Sequence, residues 1–271
     1  MIKVYNMNRH KLSDLQYELT NILLVVDRFC KKNGIEYSIE SGTALGAKRH
    51  GGFIPWDDDL DICMDRREYI KFCKLFIENP PEGLELQIHS TDKRYVNGYA
   101  KIRHLYSNTT EDRININYKH QGLFVDVFPY EQVNPFLLKI SHLCFHRILF
   151  YLVSIKPGKF GFLIIVLNFF YYIAVFFDNI FRIITKILPS TYSQTYGCNI
   201  YARMGKYKKE MFFPCKDIYF EGHIVSGPSK IEEYLTAAYG DYMKLPPVEQ
   251  RNHIHYNSFT IIQSLNKIHK L

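Results

Sequence analysis

Apolar residues in the first half of the chain follow two spacings, and each spacing predicts one kind of element. Between Leu12 and Phe29 they recur every three or four residues, the spacing of one helix face, and Lys31-Lys32-Asn33-Gly34 then supplies a cationic end and a glycine stop. A second helix is predicted over Arg66–Glu78, before Asn79-Pro80-Pro81. Shorter alternating stretches predict strands at 36–40, 59–62, 84–89, 98–104 and 122–129. The pattern is typical of a mixed α/β core.

The densest chemistry in the chain lies in residues 41–64, SGTALGAKRHGGFIPWDDDLDICM. Ser41-Gly42-Thr43 stands between a predicted strand and a predicted helix. Small residues let a phosphate approach the backbone, and a helix N-terminus offers free N–H donors and a favourable dipole. Gly42 and Thr43 are therefore candidate phosphate-binding residues, and Arg49, near the end of the helix, is a further candidate.

Four aspartates follow within five positions: Asp57, Asp58, Asp59 and Asp61. In a strand, side chains two apart lie on one face, so Asp59 and Asp61 are expected to project together. Two carboxylates this close favour a cation between them, and hard oxygen ligands favour Mg2+. The pair predicts a metal–phosphate site. A solvated acidic turn after Pro55 is the alternative, and it is the favoured interpretation for Asp57 and Asp58 alone.

Two later strands place charged residues among apolar ones. Lys101 and Arg103 share a face of the strand at 98–104, where they either clamp a diphosphate or face solvent on an edge strand. Asp126 lies within the alternating segment GLFVDVFP, and an aspartate among apolar neighbours needs a partner. That partner is a set of backbone donors, an arginine or a metal ion. The local residues leave both questions open.

Residues 136–190 differ from the rest because they are predominantly apolar. The segment 160–177 reads FGFLIIVLNFFYYIAVFF, eighteen residues without a charge, which is the lower limit for a membrane span. A single span would place the two flanking parts on opposite sides of a bilayer. A helical hairpin, with a helix at 136–155 and a turn at 156–159, avoids this. The hairpin is expected either to dip into the inner leaflet or to be buried in a homodimer.

The composition limits the kinds of partner and the location expected for the protein. The 271 residues are 47% hydrophobic, so the chain is not an intrinsically disordered polypeptide. The formal net charge of +7 favours anionic partners, but no Arg/Lys run or RNA-binding motif supports nucleic acid, which leaves a phosphorylated substrate or a membrane surface. The six cysteines show no zinc-type spacing. The N-terminus lacks an apolar signal region, so a cytoplasmic location is expected.

The stretch 41–64 closely resembles the signature of the LicD family, which includes bacterial phosphocholine transferases and is related to the fukutin proteins. GLFVDVFPYE at 122–131 and YLTAAYGDYMKLPP at 234–247 resemble it too. The Gly-Thr turn and the Asp-x-Asp pair are also similar to the nucleotidyltransferase superfamily pattern. The resemblance implies an α/β (α+β) fold with a nucleotidyltransferase-like mixed-sheet core. We expect this core at 1–135, a hydrophobic helical insertion at 136–190, and a C-terminal part at 191–271 that completes the active site.

The resemblance also implies a chemistry. It implies Mg2+-dependent (or Mn2+-dependent) transfer of a phospho-alcohol group from a CDP-alcohol, above all CDP-choline, to a sugar hydroxyl of a cell-surface glycan or its lipid-linked precursor. Such a reaction belongs to lipopolysaccharide, teichoic acid or capsule biosynthesis. Asp59, Asp61 and Asp126 would bind the metal and act in catalysis, and Lys101 and Arg103 match a basic pair that the family carries. The enzyme would lie at the inner face of the cytoplasmic membrane as a peripheral protein.

Further candidate substrate-binding residues lie beside these motifs. A choline headgroup favours an aromatic box, to which Trp56 can contribute. Asp241 and Arg251 either bind substrate or form an ion pair that holds the C-terminal segment to the body, and His253 or His255 is a candidate general base. The alternative functions are transfer from CDP-ribitol or CDP-glycerol, nucleotide transfer, and a catalytically silent membrane scaffold.

Overall fold

The computed structural model describes residues 3–6, 9–111, 118–154, 162–197, 207–251 and 256–271. Its strands are β1 (Lys3–Asn6), β2 (Ser38–Ile39), β3 (Asp61–Asp65), β4 (Leu84–Gln87), β5 (Ala100–His104), β6 (Ser107–Glu111), β7 (Phe124–Val133), β8 (Thr191–Gln194), β9 (Lys216–Phe220), β10 (His223–Gly227) and β11 (Tyr256–Ile261). Its α-helices are α1 (Arg9–Asn33), α2 (Ser41–His50), α3 (Arg66–Glu78), α4 (Pro135–Ile140), α5 (Arg147–Ser154), α6 (Phe162–Thr185), α7 (Ile231–Tyr239) and α8 (Leu265–His269). A π-helical turn, Ser141–His146, joins α4 to α5.

Strand β7 lies in the middle of a six-stranded mixed sheet. The order is β2-β3-β7-β5-β4, and β8 pairs with the second half of β7. β3 runs parallel to β7, whereas the other pairings in this sheet are antiparallel. Two smaller sheets, β1-β11-β6 and β9-β10, lie outside it. The mixed α/β fold expected from the sequence is confirmed.

Both faces of β7 are covered. Val125 and Val127 on one face and Phe124 and Phe128 on the other are all buried, and helices α1 and α3 contact the strand. A strand buried on both faces reads as a nearly continuous apolar run. Asp126, between these apolar residues, is half-buried.

The two long N-terminal helices form where the apolar spacing predicts them. Helix α1 ends at Asn33, and Gly34 follows in the left-handed conformation at φ 58°, which glycine adopts without strain. Helix α3 has the predicted bounds, and the Asp65 side chain caps it by accepting the Arg67 N–H at 3.3 Å. These boundaries follow from local signals alone.

The structure departs from the predicted elements on either side of α2. The helix begins at Ser41 itself, so Ser41-Gly42-Thr43 is its first turn instead of a separate loop. Strand β3 begins at Asp61, so Asp59 precedes the strand. The reason is pairing, because the ladder between β3 and β7 starts at Asp61 and only two residues of β2 pair with β3.

Lys101 and Arg103 do not lie on an edge strand. Their strand, β5, is hydrogen-bonded to β4 on one side and to β7 on the other, and both side chains are buried. The interpretation as a solvent-facing basic pair is therefore wrong. Their charges must be compensated inside the protein.

Residues after 190 are interwoven with the N-terminal part. Strand β8 joins the main sheet, β11 pairs with both β1 and β6, and α7 contacts α2. The strand, turn and helix expected around 220–239 appear as the β9–β10 hairpin and α7. The C-terminal part thus packs against the segment that carries the aspartates.

The helical insertion consists of α4, the π-helical turn, α5 and α6. It leaves the sheet after Val133 and returns at Thr191, and these two residues are paired in the β7–β8 ladder. The stretches Pro135–Val153 and Ile164–Thr185 are long and apolar enough to cross a membrane by length and composition. Helices α5 and α6 contact each other. The predicted turn at 156–159 lies outside the described residues.

Candidate active site

Asp61 and Asp126 stand side by side on neighbouring parallel strands. The register of β3 and β7 pairs one with the other, and the Asp126 N–H donates to the Leu60 carbonyl oxygen at 3.1 Å. Residues far apart in the chain are thus brought to one place on the sheet. The segment that carries Asp59 leads directly into this point.

Negative charge accumulates around Asp61. Burial raises its pKa well above the usual value, and Asp59, Asp126, Glu40 and Asp57 raise it further by charge repulsion. Both effects disfavour the ionised form of a carboxyl group. An ionised Asp61 is therefore costly until a cation or a proton neutralises it.

Asp126 has an ammonium partner that the sequence analysis did not assign to it. Lys101 Nζ lies 2.8 Å from Asp126 Oδ1, and the two residues are cross-strand neighbours. Burial raises the pKa of Asp126, while Lys101 and Arg103 oppose that rise. Lys101 Nζ also lies 3.2 Å from the centre of the Phe124 ring, which fixes the ammonium over an aromatic face.

Arg103 lies inside the sheet. Its Nε donates to Gln87 Oε1 at 2.8 Å and its Nη1 donates to the Gly122 carbonyl oxygen at 2.9 Å. The guanidinium carbon is 4.6 Å from the centre of the Phe124 ring. Arg103 therefore supports the strand of Asp126 from within, and it does not line the pocket described below.

Gly42 and Thr43 both contact the aspartate segment. A Cβ atom at Gly42 would lie 2.8 Å from Asp57 Oδ2, so a larger residue would displace that carboxylate. Thr43 is buried, and its hydroxyl accepts the Asp61 N–H at 2.9 Å. Thr43 thus positions Asp61, whereas Gly42 lines the pocket and stays a candidate phosphate contact.

Replacing Thr43 tests this positioning. We expect Thr43→Val to lower the free energy of unfolding by about 1–3 kcal/mol, because the buried Asp61 N–H loses its acceptor. Thr43→Ser keeps the acceptor and loses one methyl group, so it should cost about 0.8 kcal/mol or less. Urea denaturation of both variants measures the difference. Equal destabilisation by Val and Ser would contradict the assignment.

Two tyrosines missed by the sequence analysis hold the start of α2. The Tyr234 hydroxyl accepts the Ser41 N–H at 2.9 Å, and the Tyr130 hydroxyl donates to Glu40 Oε2 at 2.6 Å. Both rings are buried. Tyr130 lies in GLFVDVFPYE and Tyr234 opens YLTAAYGDYMKLPP. Their positions within these two motifs are the feature of the sequence that could have identified them.

Asp57 and Asp58 do not form a solvated turn. Both are buried, and Asp58 Oδ2 accepts the Tyr256 N–H at 3.1 Å. The Asp57 carbonyl oxygen accepts from Gln16 Nε2 at 2.8 Å. The solvated interpretation is therefore wrong for both residues. Asp58 joins the segment to β11, and Asp57 contributes to the charge near Asp61.

A pocket of about 610 Å³ opens beside the aspartates. It is lined by Ser41, Gly42, Leu45, Arg49, Ile54, Trp56, Asp57, Asp59, Asp61, Phe128, Gln194, Tyr239, Asp241, Tyr242, Lys244, Leu245, Pro246 and Pro247. Asp57, Asp59 and Asp61 contribute carboxylates to this lining, and the C-terminal motif contributes aromatic, acidic, basic and proline residues. Lys244 is a lining cation that the sequence analysis missed, although it lies within that motif. Asp126 is not among the lining residues, although Phe128 of the same strand is, and Lys101 lies on the neighbouring strand β5.

Arg49 and Arg251 each contact residues that line the pocket. The Arg251 guanidinium carbon lies 5.2 Å from the centre of the Trp56 ring, and Arg49 Nη1 donates to the Tyr242 carbonyl oxygen at 3.1 Å. Arg251 also donates to the Pro246 carbonyl oxygen, and it forms no ion pair with Asp241, although the structure describes both residues. The ion-pair interpretation is therefore wrong. The candidate bases His253 and His255 lie outside the described residues.

The carboxylates suit a hard cation in their chemistry. In the described part of the chain, no three Asp, Glu, His or Cys side chains are already gathered as ligands of one ion. The accumulated charge that raises the pKa of Asp61 nevertheless favours a cation at this point. Oxygen ligands of this type prefer Mg2+ or Mn2+. The residues present therefore fit such an ion, provided that the side chains draw together around it.

Parts of the chain match known proteins. Residues 34–152 match the model of the LicD/FKTN/FKRP nucleotidyltransferase domain. The lipopolysaccharide cholinephosphotransferase LicD of Haemophilus influenzae is 32% identical over 128 residues, which are 47% of this chain and 47% of that protein. An uncharacterized protein of Rickettsia typhi is 42% identical over 67 residues, 24% of this chain and 22% of its own.

A third relative, an uncharacterized protein of Rickettsia prowazekii, is 74% identical over 31 residues, 11% of this chain and 12% of its own. The chain spans about half the length of the Haemophilus protein and less of the other two. The matched region at 34–152 includes α2, β3, β5 and β7 with Glu40, Asp57, Asp58, Asp59, Asp61 and Asp126, but not Asp241. Residues 34–152 therefore match the LicD family domain, and the matched region carries the candidate carboxylates.

Proposed function

We propose that the protein is a Mg2+-dependent phosphotransferase that moves phosphocholine from CDP-choline onto a sugar hydroxyl. The observation that carries the proposal is the cluster of carboxylates around Asp61, next to a pocket with room for a nucleotide, inside a LicD family domain. The Haemophilus relative is named for cholinephosphate transfer on lipopolysaccharide. A cell-surface glycan or its lipid-linked precursor is accordingly the proposed acceptor.

In this proposal Asp59 and Asp61 hold the metal ion, and Asp126 either joins them as a third carboxylate or accepts the proton of the acceptor hydroxyl. The ion would supply charge neutralisation on the diphosphate of the donor, which is the main requirement of phosphoryl transfer. The Gly42 backbone and the Arg49 side chain face the same pocket. They would bind phosphate oxygens and keep the donor in line with the acceptor.

The reaction exchanges one phosphorus–oxygen bond for another. The acceptor hydroxyl oxygen bonds to the phosphorus that carries choline, and the bond from that phosphorus to the bridging oxygen breaks. CMP leaves with the bridging oxygen and its electron pair. The hydroxyl proton passes to a base, for which Asp126 is the candidate on the described strands, because it is paired with Asp61 in the sheet and burial raises its pKa above the usual carboxyl value.

The choline group suits the aromatic part of the pocket. Trp56, Tyr239 and Tyr242 line it together with Asp241. The Arg251 guanidinium carbon lies 5.2 Å from the centre of the Trp56 ring, so choline would have to displace this cation or bind the Tyr239 and Tyr242 rings. A quaternary ammonium is attracted to an aromatic face in the same way. CDP-ribitol and CDP-glycerol lack this charge, so they are the donors against which choline should be compared.

Thermal shift measurements test the donor and the metal together. We expect CDP-choline to raise the melting temperature more than CDP-ribitol, CDP-glycerol or other nucleotides, and only with Mg2+. The Mg2+ effect should grow as pH rises above the usual titration range of a carboxyl group, because the ion competes with the proton that the raised pKa of Asp61 favours. Without metal, the melting temperature of the protein should fall as pH rises, since ionising the Asp61 carboxyl group destabilises the folded state. A Mg2+ effect that is independent of pH would contradict the role of Asp61.

A further inference from the structure

One face of helix α6 is an exposed apolar stripe. Ile165, Phe169, Tyr172, Phe176 and Ile183 follow one another at intervals of three, four or seven residues, which is one side of a helix. Each of them is between 57% and 67% exposed. Three exposed side chains on α4 and α5 extend the apolar surface: Phe136, Ile148 and Tyr151. A monomeric soluble protein rarely exposes so large an apolar area without a partner.

The ionisable groups of α6 turn away from this stripe. Asp178 accepts from Ser141 Oγ at 2.6 Å and lies 2.7 Å from His146 Nε2, and all three side chains are buried within the helical insertion. Arg182 Nε donates to Glu131 Oε1 on β7 at 2.9 Å. The described part of α6 therefore presents no charged side chain on its outer face.

Helix α6 lies along the catalytic body instead of standing away from it. Near its start, Asn168 Oδ1 lies 2.9 Å from His89 Nε2, and the Tyr171 ring stacks on His89 at 3.5 Å. Near its end, Arg182 is paired with Glu131. The fourteen helical steps from Asn168 to Arg182 span about 21 Å. A helix that touches the body over this length meets any partner side-on.

Charge decides which partner suits the stripe. Residues 135–188 contain six Lys or Arg and one acidic residue, Asp178. Lys139, Arg147 and Lys186 are exposed. A twofold contact between two copies of this surface would bring the same cations together. Anionic lipid headgroups attract them instead, by about 1 kcal/mol for each Lys or Arg near the surface.

We propose that the helical insertion docks side-on into one leaflet of an anionic bilayer, with the α6 stripe in the lipid and the exposed cations at the headgroups. The insertion is then an interfacial layer and not a pair of membrane spans. This surface is separate from the proposed transfer reaction. Its test measures membrane binding alone, so the failure of one proposal is distinguishable from the failure of the other.

Vesicle sedimentation of the full chain tests the proposal. We expect binding to phosphatidylcholine vesicles that contain about 30% phosphatidylglycerol, and weaker binding to pure phosphatidylcholine. Ile165→Glu/Ile183→Glu should weaken binding about tenfold or more, because the two isoleucine side chains that would be buried in the lipid are replaced by charged ones. Ile70→Glu/Ile77→Glu changes two exposed isoleucines of α3, and it should bind as the unmodified protein does.

A second pair of variants isolates the electrostatic part. Lys139→Gln/Lys186→Gln should reduce the preference for anionic vesicles several-fold. The control variant Lys32→Gln/Lys74→Gln changes two exposed lysines of α1 and α3, and it should reduce this preference less. Two results would overturn the proposal. One is equal loss of binding in the α6 and α3 isoleucine variants. The other is a dimer that ignores both kinds of vesicle and becomes monomeric only in the Ile165→Glu/Ile183→Glu variant, because a second copy would then cover the stripe.

Discussion

Asp59→Asn and Asp61→Asn are each expected to lower turnover at least about a thousandfold, since a lost metal ligand removes several kcal/mol of charge stabilisation. The side chain keeps its size, so the fold should persist. For Asp61 the metal-free protein should be as stable as before or more stable, because the charge that is removed is costly in the folded state. The measurement is the initial rate of CMP release at saturating CDP-choline and limiting Mg2+.

A matched control separates the site from general charge effects. Asp217→Asn removes an exposed carboxylate from β9, outside the pocket, and should leave turnover unchanged. Near-normal turnover in either site variant at limiting Mg2+ would contradict the metal site. Loss of the Mg2+-dependent thermal shift in the same variants would support it independently of turnover.

Asp126→Asn should reduce turnover by at least about a hundredfold, which corresponds to about 2.7 kcal/mol in the barrier, and should affect donor binding much less. The reason is its place, because it is paired with Asp61 in the sheet and is not among the residues that line the pocket. The variant also leaves the Lys101 ammonium without its carboxylate, so stability should fall. Measuring both the turnover and the dissociation constant for CDP-choline distinguishes the effect on catalysis from the effect on donor binding.

The Lys101 pair offers the control for this variant. Asp126→Asn/Lys101→Met removes both partners, so it should recover stability relative to Asp126→Asn but not turnover. Recovery of turnover in the double variant would mean that Asp126 serves only to balance Lys101. In that case the general base would have to be sought elsewhere, for example at His253 or His255.

Local signals in the sequence predict the elements that depend on local interactions. Helix α3 has the predicted bounds because its apolar spacing, its Asp cap and the following prolines all act within a few residues. The start of α2 was predicted less well. Whether Ser41-Gly42-Thr43 forms a loop or a first helical turn depends on Tyr234, which holds the Ser41 N–H from almost two hundred residues away.

The site depends on long-range pairing, and local patterns alone could not predict its contacts. Alternation showed that Asp126 was surrounded by apolar residues, but only the β5–β7 register shows that Lys101 is its partner. The solvated interpretation of Asp58 failed for the same reason, since its acceptor role requires Tyr256 of a distant strand. The family resemblance selected Asp59, Asp61 and Asp126 as one set before any of these contacts were known.

The most direct test of the account follows both halves of the donor. CDP-choline, labelled in the choline methyl groups in one reaction and in cytidine in another, is incubated with the protein, Mg2+ and a lipopolysaccharide or lipid-linked glycan acceptor. The account predicts free CMP, with the choline label on the acceptor in equal amount, and neither product with Asp61→Asn. Cytidine label on the acceptor with release of phosphocholine would contradict it, because the enzyme would then transfer the nucleotide.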